Sequence, residues 1–229
     1  VAGRDLEASN VDITASGTLD VIRSTAHDSP FMSLVVDFKD GDGSQVAHYL
    51  PTGIMSAAAV DWLDEAFVSA RIISGGSVFH GYLRDFPFDK GQGKFEVAFA
   101  IDNASLNYAE AWPPITDIGA DVRFEGRDMF VDVHHGKIYS NQINWAKVGI
   151  ANMTAKPMML IVNGEVQGAT QEKLDYLVAS PQLNAAFGQH LTDMTATGDS
   201  VLQLNLDMPI GGGPNEKILV KGGVTLKEN

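Results

Sequence analysis

The stretch Ile118-Gly119-Ala120-Asp121-Val122-Arg123-Phe124-Glu125 decides the fold class of this chain. Apolar side chains at Ile118, Ala120, Val122 and Phe124 alternate with charged ones at Asp121, Arg123 and Glu125. Successive side chains of a β-strand point to opposite faces, so a period of two collects the apolar groups on one face and the charges on the other. The stretch therefore predicts a strand of an antiparallel sheet that has one buried and one solvated face.

The same pattern recurs on both sides of this stretch, at a spacing of about ten residues that is typical of a mainly β protein. No linker or block of charge interrupts it, so we predict one domain over residues 1–229, built on a long, curved, mostly antiparallel sheet that forms an open groove. Asp40-Gly41-Asp42-Gly43 has the composition of a hairpin turn. Further strands are predicted at 11–15, 19–21, 34–38, 78–83, 95–101, 106–108, 129–133, 146–150, 159–166, 202–206 and 220–226.

Two segments have helical rather than strand spacing. Residues 56–71 begin with Ser56 as a candidate cap and continue with an apolar stripe that includes Leu63, Phe67 and Ala70. The second segment covers about 171–190, where Thr170 can cap the first helix and buried positions are expected at Leu174, Leu177 and Val178. Ser180-Pro181 would start another helix there, with Leu183, Ala186 and Phe187 facing inward.

Charge and composition exclude several classes of function. The chain of 229 residues has a formal net charge of -13, whereas binding to nucleic acid requires clustered Lys and Arg. It has no cysteine, which excludes disulfides and thiolate metal sites. The longest strongly apolar run, 158–162, is far shorter than the roughly 20 residues that cross a bilayer. Any membrane anchor is therefore expected outside this chain.

No motif of the chain predicts catalysis or a cofactor. His134-His135 is the most evident candidate metal site, but adjacent strand residues point to opposite faces and would not chelate one ion. The Asp40–Gly43 stretch lacks an oxygen ligand at the first position of a calcium loop, where Phe38 would lie. Neither a Gly-x-Ser-x-Gly motif nor a phosphate-binding glycine loop is present. We therefore expect a non-enzymatic protein without a metal or cofactor.

An ordered set of short motifs resembles the AsmA-like YhdP family of Gram-negative envelope proteins. The resemblance covers about residues 36–210, and Met208-Pro209-Ile210 departs slightly from the Ile-Pro-Leu type of strand end found in the family. The motifs are Tyr49-Leu50-Pro51, Trp62-Leu63, Gly81-x-Leu83-x-Asp85-Phe86-Pro87-Phe88, Gly93-x-Phe95, Tyr108, Trp112-Pro113 and Ser180-Pro181-x-Leu183.

The resemblance implies an internal segment of a longer protein that is anchored in the inner membrane and crosses the periplasm. Such proteins are implicated in moving phospholipid between the inner and outer membranes and in maintaining the outer-membrane barrier. The partners implied are phospholipid acyl chains, the inner membrane and other envelope proteins. The strand alternation supplies the candidate lipid-lining residues: Val97, Phe99, Ile101, Ile118, Val122, Phe124, Val131, Val148, Ile150, Leu204 and Leu206.

Two alternatives stay open at the level of sequence. The candidate lining residues would occupy the same face if they packed against the predicted helices in a closed core. The chain would then be a structural domain that binds protein partners through its sheet edges.

Overall fold

The computed structural model describes residues 2–10, 12–23, 28–43, 67–108, 111–191, 193–210 and 219–227. Within these residues, eleven strands form one sheet in which every strand pairs with its neighbours in the sequence, and each pairing is antiparallel. The mainly β prediction is thus confirmed, and the sheet is open, with β1 and β11 at its edges among the described strands. The strands are β1 Ala2–Ser9, β2 Thr14–Ile22, β3 Phe31–Asp42, β4 Phe67–Tyr82, β5 Lys94–Leu106, β6 Ile115–Glu125, β7 Asp128–Ile138, β8 Asn141–Ala151, β9 Met158–Ala169, β10 Asp199–Ile210 and β11 Leu219–Lys227.

Two helices, α1 (Thr170–Ala179) and α2 (Pro181–Leu191), connect β9 to β10. They lie beside the strand ends at which β5, β7 and β9 finish and β6, β8 and β10 begin. We call this end of the strands the helix end and the opposite end the loop end. The predicted helical pair is confirmed, although Ala169 rather than Thr170 is the capping residue. The amide of Thr170 donates to the carbonyl of Gly198 at 3.0 Å, which closes the connection to β10.

The burial predicted for the helices holds only in part. Leu174, Leu177 and Val178 are half-buried, because α1 lies at the end of the sheet and is not enclosed by a second layer. Leu183 is buried as predicted. The side chains of Ala186 and Phe187 lie outside the described residues.

The prediction of a helix over 56–71 is wrong in its described part. Residues 56–66 lie outside the described residues, whereas Phe67–Arg71 forms the start of β4. Phe67 pairs with Leu106, and Arg71 pairs with Asp102. Val68, Ile72 and Ile73 favour a strand, and pairing with β5 outweighs the helical spacing of Phe67 and Ala70.

The predicted turn at 40–43 is also wrong, because β3 continues through Asp42. Lys39 pairs with Ser74 and Gly41 with Ile72, so the ladder to β4 resumes on both sides of Asp40. Asp40 itself has a φ of 53°, a left-handed conformation that Asp tolerates better than most residues. The residues that indicated a turn therefore form an irregularity inside a strand.

A row of β-bulges crosses the middle strands of the sheet. Extra residues interrupt the ladders at Asn103 in β5, Asp117 in β6, His134 in β7 and Asn144 in β8. Asn103 and Asp117 adopt positive φ angles of 51° and 54°. Bulges bend a strand and increase its twist, so a row of them curves the whole sheet about one line.

The best-buried apolar cluster lies on the concave face near this row of bulges. Ile72, Ile101, Ile118 and Val122 are its large members, and Ala104 and Ala120 fill the spaces between them. Among the described residues, no helix is both long enough and apolar enough to cross a membrane.

Candidate functional site: an apolar groove

One face of the sheet, which we call the inner face, carries apolar residues from strand to strand. The register pairs Phe99 with Val122, Val122 with Val131, and Val131 with Val148. The row continues from Val148 to Val162 and from Val162 to Leu206. Parallel rows run through Phe124, Met129, Ile150, Leu160 and Met208, and through Ile101, Ala120, Val133, Ala146, Gly164 and Leu204.

These rows line a cavity of about 260 Å³, which we call the groove. Residues as distant in the sheet as Ile72 of β4 and Leu204 of β10 line it together, which requires the inner face to be concave. Nine of the eleven residues predicted from alternation line the groove. The other two, Val97 and Ile150, pair with groove residues and share their face, but lie outside the lining.

Sequence reasoning missed several lining residues, among them Leu160 and Val162 of β9. Residues 158–162 are all apolar, so no alternation shows which of them face inward. The pairing of Val162 with Val148 and Leu206 decides the face, and Ile161 points to the outer face with 43% of its surface exposed. The signal that would have identified Val162 is the register of its neighbouring strands.

At the helix end, the groove meets three aromatic side chains that we call the aromatic wall: Tyr108, Trp112 and Tyr176. Tyr108 was predicted to end a strand, but it follows β5 in the loop to β6. The rings of Tyr108 and Trp112 contact edge-to-face at 5.6 Å, and those of Trp112 and Tyr176 at 6.0 Å. The hydroxyl groups of Tyr108 and Tyr176 are hydrogen-bonded to each other. Burial raises the pKa of both tyrosines, so both are neutral at ordinary pH.

Glu172 attaches α1 to the turn between β7 and β8. Its carboxylate accepts hydrogen bonds from the amide of Ser140 at 2.8 Å, the hydroxyl of Ser140 at 2.8 Å and the side-chain amide of Asn141 at 2.6 Å. The hydroxyl of Ser140 is the leading cause that lowers the pKa of Glu172. Charged acceptors make stronger hydrogen bonds than neutral ones, so this contact fixes the position of α1.

Lys173, the next residue of α1, binds the ends of three strands. Its ammonium group donates to Asn141 Oδ1 at 2.6 Å, to the carbonyl of Gly168 at 2.8 Å and to the carbonyl of Ser200 at 3.1 Å. Burial lowers the pKa of Lys173, opposed by the nearby carboxylates of Asp199 and Glu172. Together, Glu172 and Lys173 hold α1, and therefore Tyr176, against the end of the groove.

The loop end carries a different aromatic group, four rings that we call the phenylalanine cluster: Phe79, Phe86, Phe88 and Phe95. Phe86 stacks on Phe79 at 5.9 Å and meets Phe95 edge-to-face at 5.0 Å. Phe88 is 6% exposed. A Cβ atom at Gly93 would lie 2.4 Å from the ring of Phe88, so only a glycine at this position leaves space for the ring. The Gly81–Phe95 motifs thus fold back on the inner face beside β4 and β5.

A clasp between loops also occurs at the loop end. The guanidinium group of Arg127 donates to both carboxylate oxygens of Asp89, at 2.8 and 2.9 Å, and to the hydroxyl of Thr154 at 2.9 Å. The hydrogen bond from Arg127 lowers the pKa of Asp89. These three residues come from the β4–β5, β6–β7 and β8–β9 connections, which the clasp joins.

The structure corrects the prediction for His134 and His135. The bulge at His134 turns both rings to the outer, charged face, rather than to opposite faces. His134 Nε2 lies 2.9 Å from Asp121, whereas the ring of His135 lies over Gly119 and donates from Nδ1 to the carbonyl of Asp117 at 2.8 Å. Within the described residues, no group of three or more His, Asp or Glu side chains is arranged to hold a metal ion.

The fold and the groove together define a class of protein: an open antiparallel sheet with a concave apolar face and a helix across one end of that face. The chain belongs to the YhdP protein family, which matches it over residues 1–229. It is 25% identical over 232 residues to the intermembrane phospholipid transporter YhdP of Escherichia coli (strain K12). That match covers 99% of this chain but 17% of the relative's length. No solved structure matches the chain.

Proposed function

We propose that this chain is a section of a hydrophobic groove through which a longer, inner-membrane-anchored protein passes phospholipid across the periplasm. Residues 1–229 act as one domain of that groove, without catalysis, and so support the outer-membrane barrier. Membership of the YhdP family and the name of the Escherichia coli relative support a role in phospholipid transport. The observation that carries the proposal is the continuous apolar row from Phe99 in β5 to Leu206 in β10.

The physical basis is the cost of moving acyl chains through water. Each CH₂ group that leaves an apolar environment costs about 0.8 kcal/mol, so a phospholipid does not cross an aqueous space unaided at a useful rate. A row of apolar side chains lowers this cost without a chemical step. The groove lining includes half-buried residues such as Val148 and Val162, which are available to a ligand. Acyl chains are the partner that such a surface accepts.

Two neighbouring residues of β9 provide a matched test. Val162 lines the groove, whereas Ile161 lies on the outer face. Val162→Asp places a charge in the apolar lining, where an unpaired carboxylate is strongly disfavoured, and should abolish binding of phospholipid. Ile161→Asp places the same charge in water and should leave binding intact. Native mass spectrometry of both purified variants, after incubation with phosphatidylethanolamine, measures the bound lipid.

The proposal fails if the unmodified chain binds no phospholipid, or if both variants bind it as the unmodified chain does. Circular dichroism establishes that each variant keeps its strand content. Where Val162→Asp does not fold, Leu206→Asp in β10 repeats the test at another position of the same row.

A second candidate function follows from the edge strand β11. Within the described residues β11 pairs with β10 on one side, and Val224 and Leu226 on the inner face are 55% and 61% exposed. An edge with exposed apolar residues favours the addition of another strand. On this alternative the chain is a structural domain that binds protein partners through its edges. Sedimentation of the unmodified chain and of Val224→Lys, with and without lipid, tests whether association depends on this edge.

A further inference from the structure

The aromatic wall presents ring surface to the groove rather than groups that would bind a phosphate. The hydroxyls of Tyr108 and Tyr176 bond each other, and Trp112 is buried against both rings. Glu172 accepts hydrogen bonds from Ser140 and Asn141. A phosphate group placed here would lose its hydration against three aromatic rings, while the ammonium group of Lys173 on the same helix already donates to Asn141 and to two carbonyl groups, so the position is costly for a charged group. The terminal methyl group of an acyl chain loses nothing by the same contact.

The dimensions of the groove fit an acyl chain that lies along the strands. From Ile115 to Phe124, β6 covers nine residue steps, or roughly 30 Å at about 3.3 Å per step. The hydrocarbon core of a bilayer is about 30 Å thick, so one chain of a leaflet spans roughly 15 Å. An acyl chain can therefore lie with its end against the aromatic wall while its headgroup stays in water above the open part of the groove.

We infer that phospholipid binds with its acyl chain ends toward Tyr108, Trp112 and Tyr176, and that Tyr176 limits the length of the chain that fits. This inference rests on the proposed function and assigns a specificity-determining residue to it. Tyr176 suits this role because α1 carries it across the end of the groove, and Glu172 and Lys173 hold α1 in place. A chain longer than the roughly 30 Å of groove along the strands would have to displace the wall or leave methylene groups in water.

The opposite face of α1 supplies a matched control. Leu174 and Val178 line a separate cavity on that face, together with Tyr139 and Met194, and do not line the groove. Leu174→Ala therefore weakens the packing of the same helix without enlarging the groove. Tyr176→Ala enlarges the groove, and Tyr176→Phe removes only the hydroxyl group and keeps the ring.

The test is competition among phosphatidylethanolamines with saturated chains of graded length, present in equal amounts and detected on the protein by native mass spectrometry. For the unmodified chain, binding should stay similar up to the length at which the chain end meets the wall, and should then fall about fourfold for each further methylene that is left in water. Tyr176→Ala should move this limit to longer chains. Tyr176→Phe and Leu174→Ala should keep the limit of the unmodified chain.

The inference is overturned if Tyr176→Ala binds lipid with an unchanged limit, or if the unmodified chain shows no limit. It is also overturned if Leu174→Ala moves the limit as far as Tyr176→Ala does, since the wall would then act through the helix rather than through its ring. Where Tyr176→Ala does not fold, Tyr108→Ala in the β5–β6 loop tests the same wall. Absence of lipid from every variant and from the unmodified chain would instead reject the proposed function itself.

Discussion

The two ends of the sheet carry aromatic groups of opposite character. At the loop end, the phenylalanine cluster comes from residues 79–95, a continuous stretch whose rings pack on one another. At the helix end, the aromatic wall combines Tyr108 and Trp112 with Tyr176, and polar contacts hold it in place. The loop end is a local apolar core, whereas the helix end is assembled from distant parts of the chain.

This difference predicts different functions for the two ends. A cluster with two buried rings and many ring contacts contributes mainly to stability. A helix attached by hydrogen bonds at the surface of a sheet has lower local stability, and elements that contact ligands are often of this kind. Four predictions test this comparison, in order of decreasing effect.

The loop end should carry the largest single contribution to stability. Phe88→Ala removes a ring that is 6% exposed and should lower the free energy of unfolding by about 3–5 kcal/mol. Urea denaturation followed by circular dichroism measures the change. Leu83→Ala, at a position that is 42% exposed in the same segment, is the control and should have little effect. Equal effects of the two substitutions would mean that the cluster is not a core.

The helix end should depend on Glu172. Glu172→Gln removes a charged acceptor from Ser140 and Asn141 and should destabilise the attachment of α1 by about 1–2 kcal/mol, less than a fully buried contact would lose. Hydrogen exchange should become faster in α1 and stay unchanged in β6 and β7. Asp175→Asn, where the carboxylate accepts from Gln171 of the same helix, should not change exchange. Uniform acceleration across the sheet would contradict a local role.

The same contact should depend on pH. Because the pKa of Glu172 is lowered from its ordinary value of 4.5, its hydrogen bonds stabilise the folded state above pH 4.5 and are lost as the pH falls through the lowered pKa. The amide of Ser140 donates to Glu172, so its chemical shift should follow this titration with a midpoint below 4.5. A midpoint at or above that value would show that the carboxylate is not held by these donors.

The clasp at the loop end should matter least. Arg127→Lys keeps the charge but loses the paired hydrogen bonds to Asp89 and the bond to Thr154. Because these groups are exposed to solvent, we expect a decrease in Tm smaller than that of Glu172→Gln. High salt should reduce the difference between Arg127→Lys and the unmodified chain. A decrease in Tm as large as that caused by Phe88→Ala would mean that the clasp stabilises this end as much as the rings do.

Much of the groove could be predicted because its strands alternate. Phe99 lies between two alanines and Val122 between two charged residues, so a period of two is enough to identify the face that they share. The sequence did not predict the structure correctly where the alternation is absent. Val162 lies in a wholly apolar run, and Phe67–Arg71 combines helical spacing with strand pairing, so local composition is compatible with more than one structure in both places.

The sequence alone determined that the chain is mainly β, that one face of its strands is apolar, and that a helical pair follows β9. These properties depend on side-chain periodicity and on local propensity, both of which are determined by residues close together in the sequence. Only the tertiary structure decided the register that aligns Val148 with Val162, the row of bulges that curves the sheet, and the meeting of Tyr176 with Tyr108. Each of these depends on residues far apart in the chain, and their contacts are selected by packing and hydrogen bonding across strands rather than by neighbours in the sequence.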